Sequence, residues 1–343
     1  MQRGKWGVLA LVVVAACGLV AAPAQASARP SVTLRIAPVF HTRGFADPTV
    51  VPYAHGYLAV GTGWKAPRAV ARTPRGPWHQ VRPALTDLPR WVRSPQIWAA
   101  DLNHVGHRWV LYYAAVAHGA HRRCIGVATA RRPVDQFRPV GRHPLICPEH
   151  GGVIDPSAFV GRHHHRYLVY KTQGNPATIR LVRLAHDGRH KHHRHQHHRH
   201  KHHRHHRVAR SHLLLRSRTT IENPQLVRHG KQLVLFASEG YFGNCGYHTT
   251  WRRSRHLFDW RHSRPHGMLH RRGTRICGPG GADVVRGPRQ HQIIYFHGWS
   301  CGGRPCPAYF LMDRGRRPTA HRVLYAAHLR WHHGKPRVRA FRR

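Results

Sequence analysis

Three carboxylates stand in similar settings in a chain that has few of them. Only 12 of the 343 residues are Asp or Glu. Asp47 lies in G-F-A-D-P-T-V-V, Asp155 in G-G-V-I-D-P-S-A-F, and Glu222 in T-I-E-N-P-Q-L-V. A proline follows each acid directly or after one residue, and because proline fixes φ and lacks an N–H, it is typical of the entry to a strand. The pattern predicts an acid at the start of each of three strands. A repeat fold would bring these three acids together around one axis.

The elements that must position these acids are short β-strands. After the N-terminal region the sequence shows no amphipathic helix of ordinary length, and β-rich runs bounded by Gly, Pro, Asp and Asn recur instead. Five segments share a polar turn followed by a strand with an aromatic residue near its centre: H-G-Y-L-A-V-G-T, G-H-R-W-V-L-Y-Y-A, H-H-R-Y-L-V-Y-K-T, G-K-Q-L-V-L-F-A-S and R-Q-H-Q-I-I-Y-F-H. Five such units over about 300 residues predict an all-β fold, a five-bladed β-propeller. The second blade would open near Trp98 and the last near Asp283.

The first 26 residues have the pattern of an export signal. Arg3 and Lys5 form a basic start, an apolar run follows, and Ala24-Gln25-Ala26 is a cleavage site of the A-x-A type. An alternative is a lipoprotein anchored through Cys17 in V-A-A-C. No later segment is long and apolar enough to span a bilayer. We therefore expect a secreted protein, with residues 27–343 forming one domain because a propeller closes as a ring.

Six cysteines remain once Cys17 is removed with the signal. An even number in an exported chain favours disulfide bonds over metal ligation, and none of the spacings is that of a zinc finger. Six cysteines allow 15 pairings, and proximity in the sequence suggests Cys124–Cys147, Cys245–Cys277 and Cys301–Cys306.

The charge is strongly basic, with 57 Lys and Arg residues and a formal net charge of +45. Such a surface attracts polyanions. Because the sequence shows no motif of a nucleic-acid-binding fold, we expect no specific nucleic acid as partner, but an anionic cell-wall polymer or acidic polysaccharide. A His/Arg-rich insertion at about residues 189–207 follows the turn pair Asp187-Gly188. We expect it to extend a surface turn of the third blade and to be disordered, with binding of metal ions or polyanions as the alternative.

Several of these motifs resemble glycoside hydrolase family 43, the five-bladed propeller enzymes that include arabinanases, arabinofuranosidases and xylosidases. The motifs occur in order over about residues 40–331: F-A-D-P-T-V-V, I-W-A-A-D-L, G-G-V-I-D-P-S-A-F, I-E-N-P-Q-L and I-I-Y-F-H-G-W. The second motif has Ala100 where the family usually has proline. The resemblance implies a glycosidase that acts on polysaccharide or oligosaccharide containing arabinose or xylose.

By this resemblance Asp47 is the general base, Glu222 the general acid, and Asp155 the third carboxylate that orients the acid and raises its pKa. Hydrolysis with inversion uses one ionised and one protonated carboxyl group about 6.5–9.5 Å apart, which leaves room for water. Taken singly, each acid could be only a turn or cap residue. Asp101 has no proline beside it, so we expect it to face the loop before Trp109. We interpret Asp283 as a structural acid at a strand start.

Three aromatic residues are candidate sugar platforms, namely Trp98, Trp64 and Tyr241; packing between blades is the alternative for Trp98. His297 is interpreted as a polar residue lining the channel, as an orienting group, or as a ligand through water to a central calcium ion, which some relatives have. One histidine is thin support for calcium, which prefers oxygen ligands. We expect no cofactor to be required, with a structural calcium ion as the alternative, and a monomer.

Three alternatives to the hydrolase remain. A propeller lectin would keep the fold and bind cell-wall glycans without cleaving them, although intact acids at all three positions speak against that loss. A sucrose- or fructan-processing propeller would act with retention, but such enzymes usually carry an N-D-P-N-G motif where this chain has F-A-D-P-T. The last alternative is a cationic polyanion-binding protein in which the propeller is incidental.

Overall fold

The five repeated segments form the second strands of five blades. In a computed structural model that describes residues 1, 33–41, 44–119, 122–191, 210–287, 291–312 and 319–341, each segment pairs with an inner strand that precedes it. The predicted five-bladed β-propeller is thus confirmed. Residues 33–343 group into one compact unit. The predicted signal peptide beyond Met1, and most of the His/Arg-rich insertion, lie outside the described residues.

The strands follow one another blade by blade. The first blade contains β2 (Ala46–Tyr53), β3 (Gly56–Trp64), β4 (Arg68–Ala71) and β5 (His79–Val81); the second β6 (Gln96–Val105), β7 (Arg108–Val116), β8 (Arg123–Ala130) and β9 (Arg138–Pro139); the third β10 (Val153–Val160), β11 (Arg166–Thr172), β12 (Ala177–Arg183) and β13 (His212–Ser217); the fourth β14 (Ile221–His229), β15 (Gln232–Glu239), β16 (His248–Ser254) and β17 (His266–Leu269). The fifth contains β18 (Cys277–Arg286), β19 (Gln292–Cys301), β20 (Arg304–Pro305), β21 (Ala320–His332) and β22 (Lys335–Arg339), and it is joined by β1 (Pro38–Phe40) from the start of the domain. The described helical pieces are a short helix, Arg271–Thr274, and a 3-10 turn, Arg162–His164.

Two pairings tie the blades together. The early strand β1 pairs antiparallel with β21, where Pro38 lies opposite Tyr325, so the two ends of the domain meet in the fifth blade. Gly63 at the end of β3 pairs with Ile97 in β6, which joins the first two blades. Apolar clusters fill the space between neighbouring blades. No helix in the described part of the chain is long and apolar enough to cross a membrane.

Each inner strand has the same irregularity in its pairing. The register of β2, β6, β10, β14 and β18 shifts at one equivalent position. The residue there has positive φ in every blade: Asp47 (48°), Ala99 (42°), Asp155 (54°), Asn223 (48°) and Gly281 (62°). A bulge of this kind re-aims side chains, and these five residues line one channel.

The prolines therefore do not mark the strand entry that the sequence suggested. Pro48, Pro156 and Pro224 lie inside β2, β10 and β14, between the residues that bracket each register shift. Because residues in a bulge are left out of the ladder, a residue without an N–H costs no hydrogen bond there. The acid–proline pairs thus mark the bulges that turn side chains toward the channel.

Two residues further along, each inner strand places a polar side chain in the same channel. Four of these five side chains accept a hydrogen bond from the backbone N–H of the next blade: Leu102 donates to Thr49 (3.4 Å), Ala158 to Asp101 (2.7 Å), Val284 to Gln225 (2.7 Å) and Val50 to Asp283 (2.6 Å). Ser157 stands at the fifth position, and its hydroxyl has no such bond among the described residues. The side chains thus clasp consecutive blades around the axis.

The position of the Asp101 side chain differs from the sequence-based prediction. Its side chain does not face the loop before Trp109; it is buried in the channel and bonds to the third blade and to Asn103. The interpretation of Asp283 as structural is consistent with its bonds to Val50 and Gln225. Burial raises the pKa of Asp101 to about 6 and that of Asp283 to about 8. The second value keeps Asp283 largely uncharged at neutral pH.

These hydrogen bonds between consecutive blades, here called the clasp, predict that two substitutions in the channel change stability unequally. Asp283→Ala leaves the Val50 N–H and the Gln225 amide without their partner in a buried place, so we expect the free energy of unfolding to fall by about 2–4 kcal/mol. Ser157→Ala is the matched control, because Ser157 makes no clasp, and it should change stability by less than about 1 kcal/mol. Urea unfolding of both variants at pH 7 measures the difference. Equal losses in the two variants would contradict the clasp.

The three predicted disulfide bonds are confirmed. Cys124 pairs with Cys147, Cys245 with Cys277, and Cys301 with Cys306. In the second bond, Cys245 lies in the loop before β16, two residues before Tyr247, and Cys277 is the first residue of β18. This bond therefore ties the fourth and fifth blades together.

Candidate active site

The three predicted acids meet at one end of the channel. Asp47 and Asp155 occupy the positive-φ positions of the first and third blades, and both line the channel. Glu222 lies in the fourth blade, one residue before the equivalent position. All three side chains are largely buried. The repeat thus brings together carboxylates that are 67 to 175 residues apart in the sequence.

Asp47 is held by donors on both of its oxygens. Thr62 donates to Oδ2 at 2.8 Å, and the Asn223 side chain donates to Oδ1 at 2.9 Å. The Arg322 guanidinium also lies 3.4 Å from Oδ1. Burial alone would raise the pKa of this carboxyl, but the Arg322 charge and the hydrogen bonds outweigh burial and lower the pKa below its ordinary value. Asp47 is therefore an ionised carboxylate at neutral pH.

Asp155 has the opposite electrostatic surroundings. Burial and the neighbouring charge of Glu222 raise its pKa to about 8, although Lys171 and a hydrogen bond from the Asn223 N–H (2.9 Å) act against the rise. A carboxyl group with this pKa keeps its proton at neutral pH. The site thus contains one ionised acid, Asp47, and one acid that keeps its proton, Asp155.

Glu222 accepts a hydrogen bond on each oxygen. Lys171 Nζ lies 2.7 Å from Oε2 in an ion pair whose two side chains are each 11% exposed. The Tyr247 hydroxyl donates to Oε1 at 2.9 Å. Burial, together with the charge of Glu222, raises the pKa of Tyr247, so that this tyrosine remains a donor. These two contacts fix the position of the carboxyl group.

Two glycines make room for this arrangement. A Cβ atom at Gly280 would lie 2.1 Å from a ring carbon of Tyr247, and one at Gly281 would lie 2.7 Å from His297 Nδ1. Gly281 also has φ +62°, which favours glycine. At these two positions the fifth blade therefore has no side chain, and the rings of Tyr247 and His297 pack against its backbone.

The predicted sugar platforms have different surroundings. The Arg123 guanidinium lies 3.2 Å from the centroid of the Trp98 ring and covers one face of it. Trp64, 58% exposed, ends β3 beside the start of β6, and Tyr241, 46% exposed, contacts Phe242. Of the three, Trp64 and Tyr241 therefore present open rings. Their role in binding sugar stays a prediction.

His297 is fully buried and orients the predicted base. Its Nδ1 accepts the backbone N–H of Asp47 at 3.1 Å, which places the ring hydrogen on Nε2. Burial and the charge of Arg322 lower its pKa to about 3, so the ring is neutral. In this tautomer neither nitrogen offers a free lone pair to a cation. The described residues include no group of three or more His, Cys, Asp or Glu that could hold a metal ion. The suggested contact of His297 with a calcium ion through water stays a prediction.

Sequence reasoning missed five residues of this site: Thr62, Lys171, Asn223, Tyr247 and Arg322. Asn223 could have been predicted from the sequence, because it lies between Glu222 and Pro224 in one of the three acid motifs. It connects the acids, since its N–H bonds Asp155 and its side chain bonds Asp47. In the sequence, Lys171 and Arg322 look like ordinary basic residues of strands. Nothing in the sequence indicates that they pair with Glu222 and Asp47.

Comparison with known proteins gives one consistent answer. The family model for glycosyl hydrolases family 43 matches residues 38–336. A search of curated proteins gave no match. Among solved structures, the chain is similar to a thermostable family-43 glycoside hydrolase (TM-score 0.71, 14% identity, 90% of this chain and 96% of that chain), to an α-L-arabinanase of Cellvibrio cellulosa in complex with arabinohexaose (0.63, 17%, 87% and 96%), and to an endo-1,4-β-xylanase of Bacteroides thetaiotaomicron (0.64, 17%, 89% and 97%). At these identities the structural likeness shows the fold.

The family match covers most of the chain and includes all three acids, Asp47, Asp155 and Glu222. The propeller fold agrees with it. The chain therefore belongs to glycosyl hydrolase family 43 and is a glycosidase.

Proposed function

We propose that this protein hydrolyses glycosidic bonds in arabinose- or xylose-containing polysaccharide or oligosaccharide with inversion at the anomeric carbon. One observation carries the mechanism, namely the unequal ionisation of the acids. The pKa of Asp47 is lowered, so it is ionised at neutral pH, whereas the pKa of Asp155 is raised to about 8, so it retains a proton. Inversion needs one carboxylate that activates water and one carboxyl group that donates a proton.

In this mechanism Asp47 removes a proton from a water molecule as the water oxygen attacks the anomeric carbon. The bond between that carbon and the leaving oxygen breaks, and Glu222 transfers its proton to the leaving oxygen. Asp155 is the third carboxyl group, close enough to Glu222 for the charge of one to affect the other. The contacts of Thr62, Asn223 and the Asp47 N–H hold the base in one orientation throughout.

The substrate class is supported by the solved structures with the same fold. Their names include arabinanases, among them one in complex with arabinohexaose, as well as a xylanase and a xylosidase. Exposed aromatic rings at Trp64 and Tyr241 could stack on either sugar. The choice between arabinose and xylose is open to direct assay.

The assay is hydrolysis by the purified mature chain of debranched arabinan, arabinoxylan, and aryl arabinofuranoside and xyloside. We expect turnover of at least one of them. Binding of one glycan without turnover of any would instead support the non-catalytic lectin. The assay should be run with and without EDTA, and we expect no loss of activity with the chelator.

We further propose that the protein is secreted and adheres to an anionic cell-wall polymer. The export signal and the disulfide bonds support secretion. A basic groove of about 470 Å³ supports adhesion; it includes Arg228, Arg286 and Arg330, none of which pairs with a carboxylate of the described residues. Arg228 lies six residues beyond Glu222 on β14, about 20 Å along the strand, so this groove is at the opposite end of the channel.

Binding to polygalacturonate tests this adhesion. We expect the triple substitution of Arg228, Arg286 and Arg330 by Gln to weaken binding at least fivefold and to reduce its dependence on salt, because fewer counterions are released. The matched control substitutes Arg216, Arg253 and Arg264 by Gln; these are exposed, lie outside the groove and form no ion pair with a carboxylate of the described residues. Turnover of a small neutral substrate should stay unchanged in both variants. Equal loss of binding in the two triple variants would show that the net charge alone causes adhesion.

A further inference from the structure

The buried ion pair between Lys171 and Glu222 conflicts with the task of an acid. A general acid must carry a proton at the start of the reaction, yet a cation 2.7 Å from Oε2 favours the carboxylate form. The Tyr247 hydroxyl on Oε1 favours the same form, because a carboxylate is the better acceptor.

Among the described residues, four side chains surround this carboxyl group. Lys171 comes from β11, Tyr247 from the loop before β16, Asp155 from β10 and Asp47 from β2. Arg322 and His297 face Asp47 rather than Glu222. Lys171 is thus the one cation within ion-pair distance of Glu222 in the described part of the chain. Its charge opposes the two neighbouring aspartates, which by themselves would favour protonation of the pair.

We propose that Lys171 is a positioning residue that holds the Glu222 carboxyl group in place through their ion pair, and that its charge sets the upper pH limit of activity. This inference rests on the proposed function, in which Glu222 is the acid. While the ion pair is intact, the positive charge of Lys171 favours loss of the Glu222 proton as the pH rises, and Glu222 needs that proton to act as the acid. Lys171 itself exchanges no proton in the reaction.

The pH profile of kcat/KM separates this role from a structural one. In Lys171→Met, which keeps length without charge, we expect the alkaline limb to move up by about one to three pH units, since an opposite charge this close shifts protonation by that much. Lys171→Arg keeps the charge and should leave the limb in place. Tyr247→Phe removes a neutral donor and should move the limb less than Lys171→Met. A uniform loss of activity in Lys171→Met, with both limbs unmoved, would overturn the proposal.

A second measurement needs no activity. The chain has only three glutamates, Glu149, Glu222 and Glu239, so carbon-13 labelling of glutamate gives three carboxyl signals, and Glu222→Gln assigns one of them. In the full-length mature protein we expect the Glu222 signal to titrate at higher pH in Lys171→Met than in the wild type. An unchanged titration would overturn the inference about Lys171. If the titration moves but no substrate is cleaved, the proposed function fails while the ion-pair effect stands.

Discussion

Glu222→Gln should lose about 10²- to 10⁴-fold in kcat on a polysaccharide substrate, the contribution typical of general acid catalysis. Gln keeps the shape of the side chain and can still accept from Tyr247, but it has no proton to give to a sugar leaving group. On an aryl glycoside with a dinitrophenolate leaving group the same variant should retain most of its activity, because that group departs without protonation. The measurement is the ratio of kcat on the two substrates.

The control for this variant is Glu149→Gln, which changes an exposed glutamate of the same type. It should leave both activities at wild-type values. The assignment of Glu222 as the acid would be wrong if Glu222→Gln lost activity equally on both substrates, since the leaving group would then not matter.

Asp47→Asn should lose about 10²- to 10⁴-fold on both substrates, because activation of water is required whatever the leaving group. The substitution removes the charge while one side-chain oxygen remains to accept a hydrogen bond. The wild-type profile gives a second check. Asp47 must be ionised to act, and its pKa lies below the ordinary 3.8, so activity through this group should fall only as the pH drops below that value.

Asp87→Asn, at an exposed aspartate, is the matched control and should behave as wild type. Retention of activity on the dinitrophenyl glycoside by Asp47→Asn would contradict the role of the base. Such a result would assign water activation to another of the acids.

The blades could be predicted because their signal is local. Each second strand carries its own turn and aromatic core residue, as in R-W-V-L-Y-Y-A of β7, and the signal repeats five times. The acids could be found because they are scarce and lie in similar contexts. The disulfide pairing followed from proximity in the chain, the longest separation being 32 residues.

The site chemistry could not be predicted, because it depends on contacts between blades. Lys171 and Glu222 are 51 residues apart, and only the packing of β11 against β14 brings them together. The prediction for Asp101 was wrong because the neighbouring sequence gives no sign of a bulge. In the structure a bulge between Trp98 and Asp101 directs the Asp101 side chain into the channel. For Trp98 the sequence left two possibilities open, a sugar platform or packing between blades, because the Arg123 guanidinium that covers one face of its ring comes from another strand.

The most direct test of the mechanism is the configuration of the first product. Proton NMR can follow hydrolysis of the best aryl glycoside from the first seconds, before the released sugar equilibrates between its anomers. If Asp47 activates water and Glu222 protonates the leaving oxygen in a single displacement, the first sugar to appear has the anomeric configuration opposite to that of the substrate. A product that first appears with the substrate's configuration would show two displacements through a covalent intermediate and would contradict the roles given to both residues.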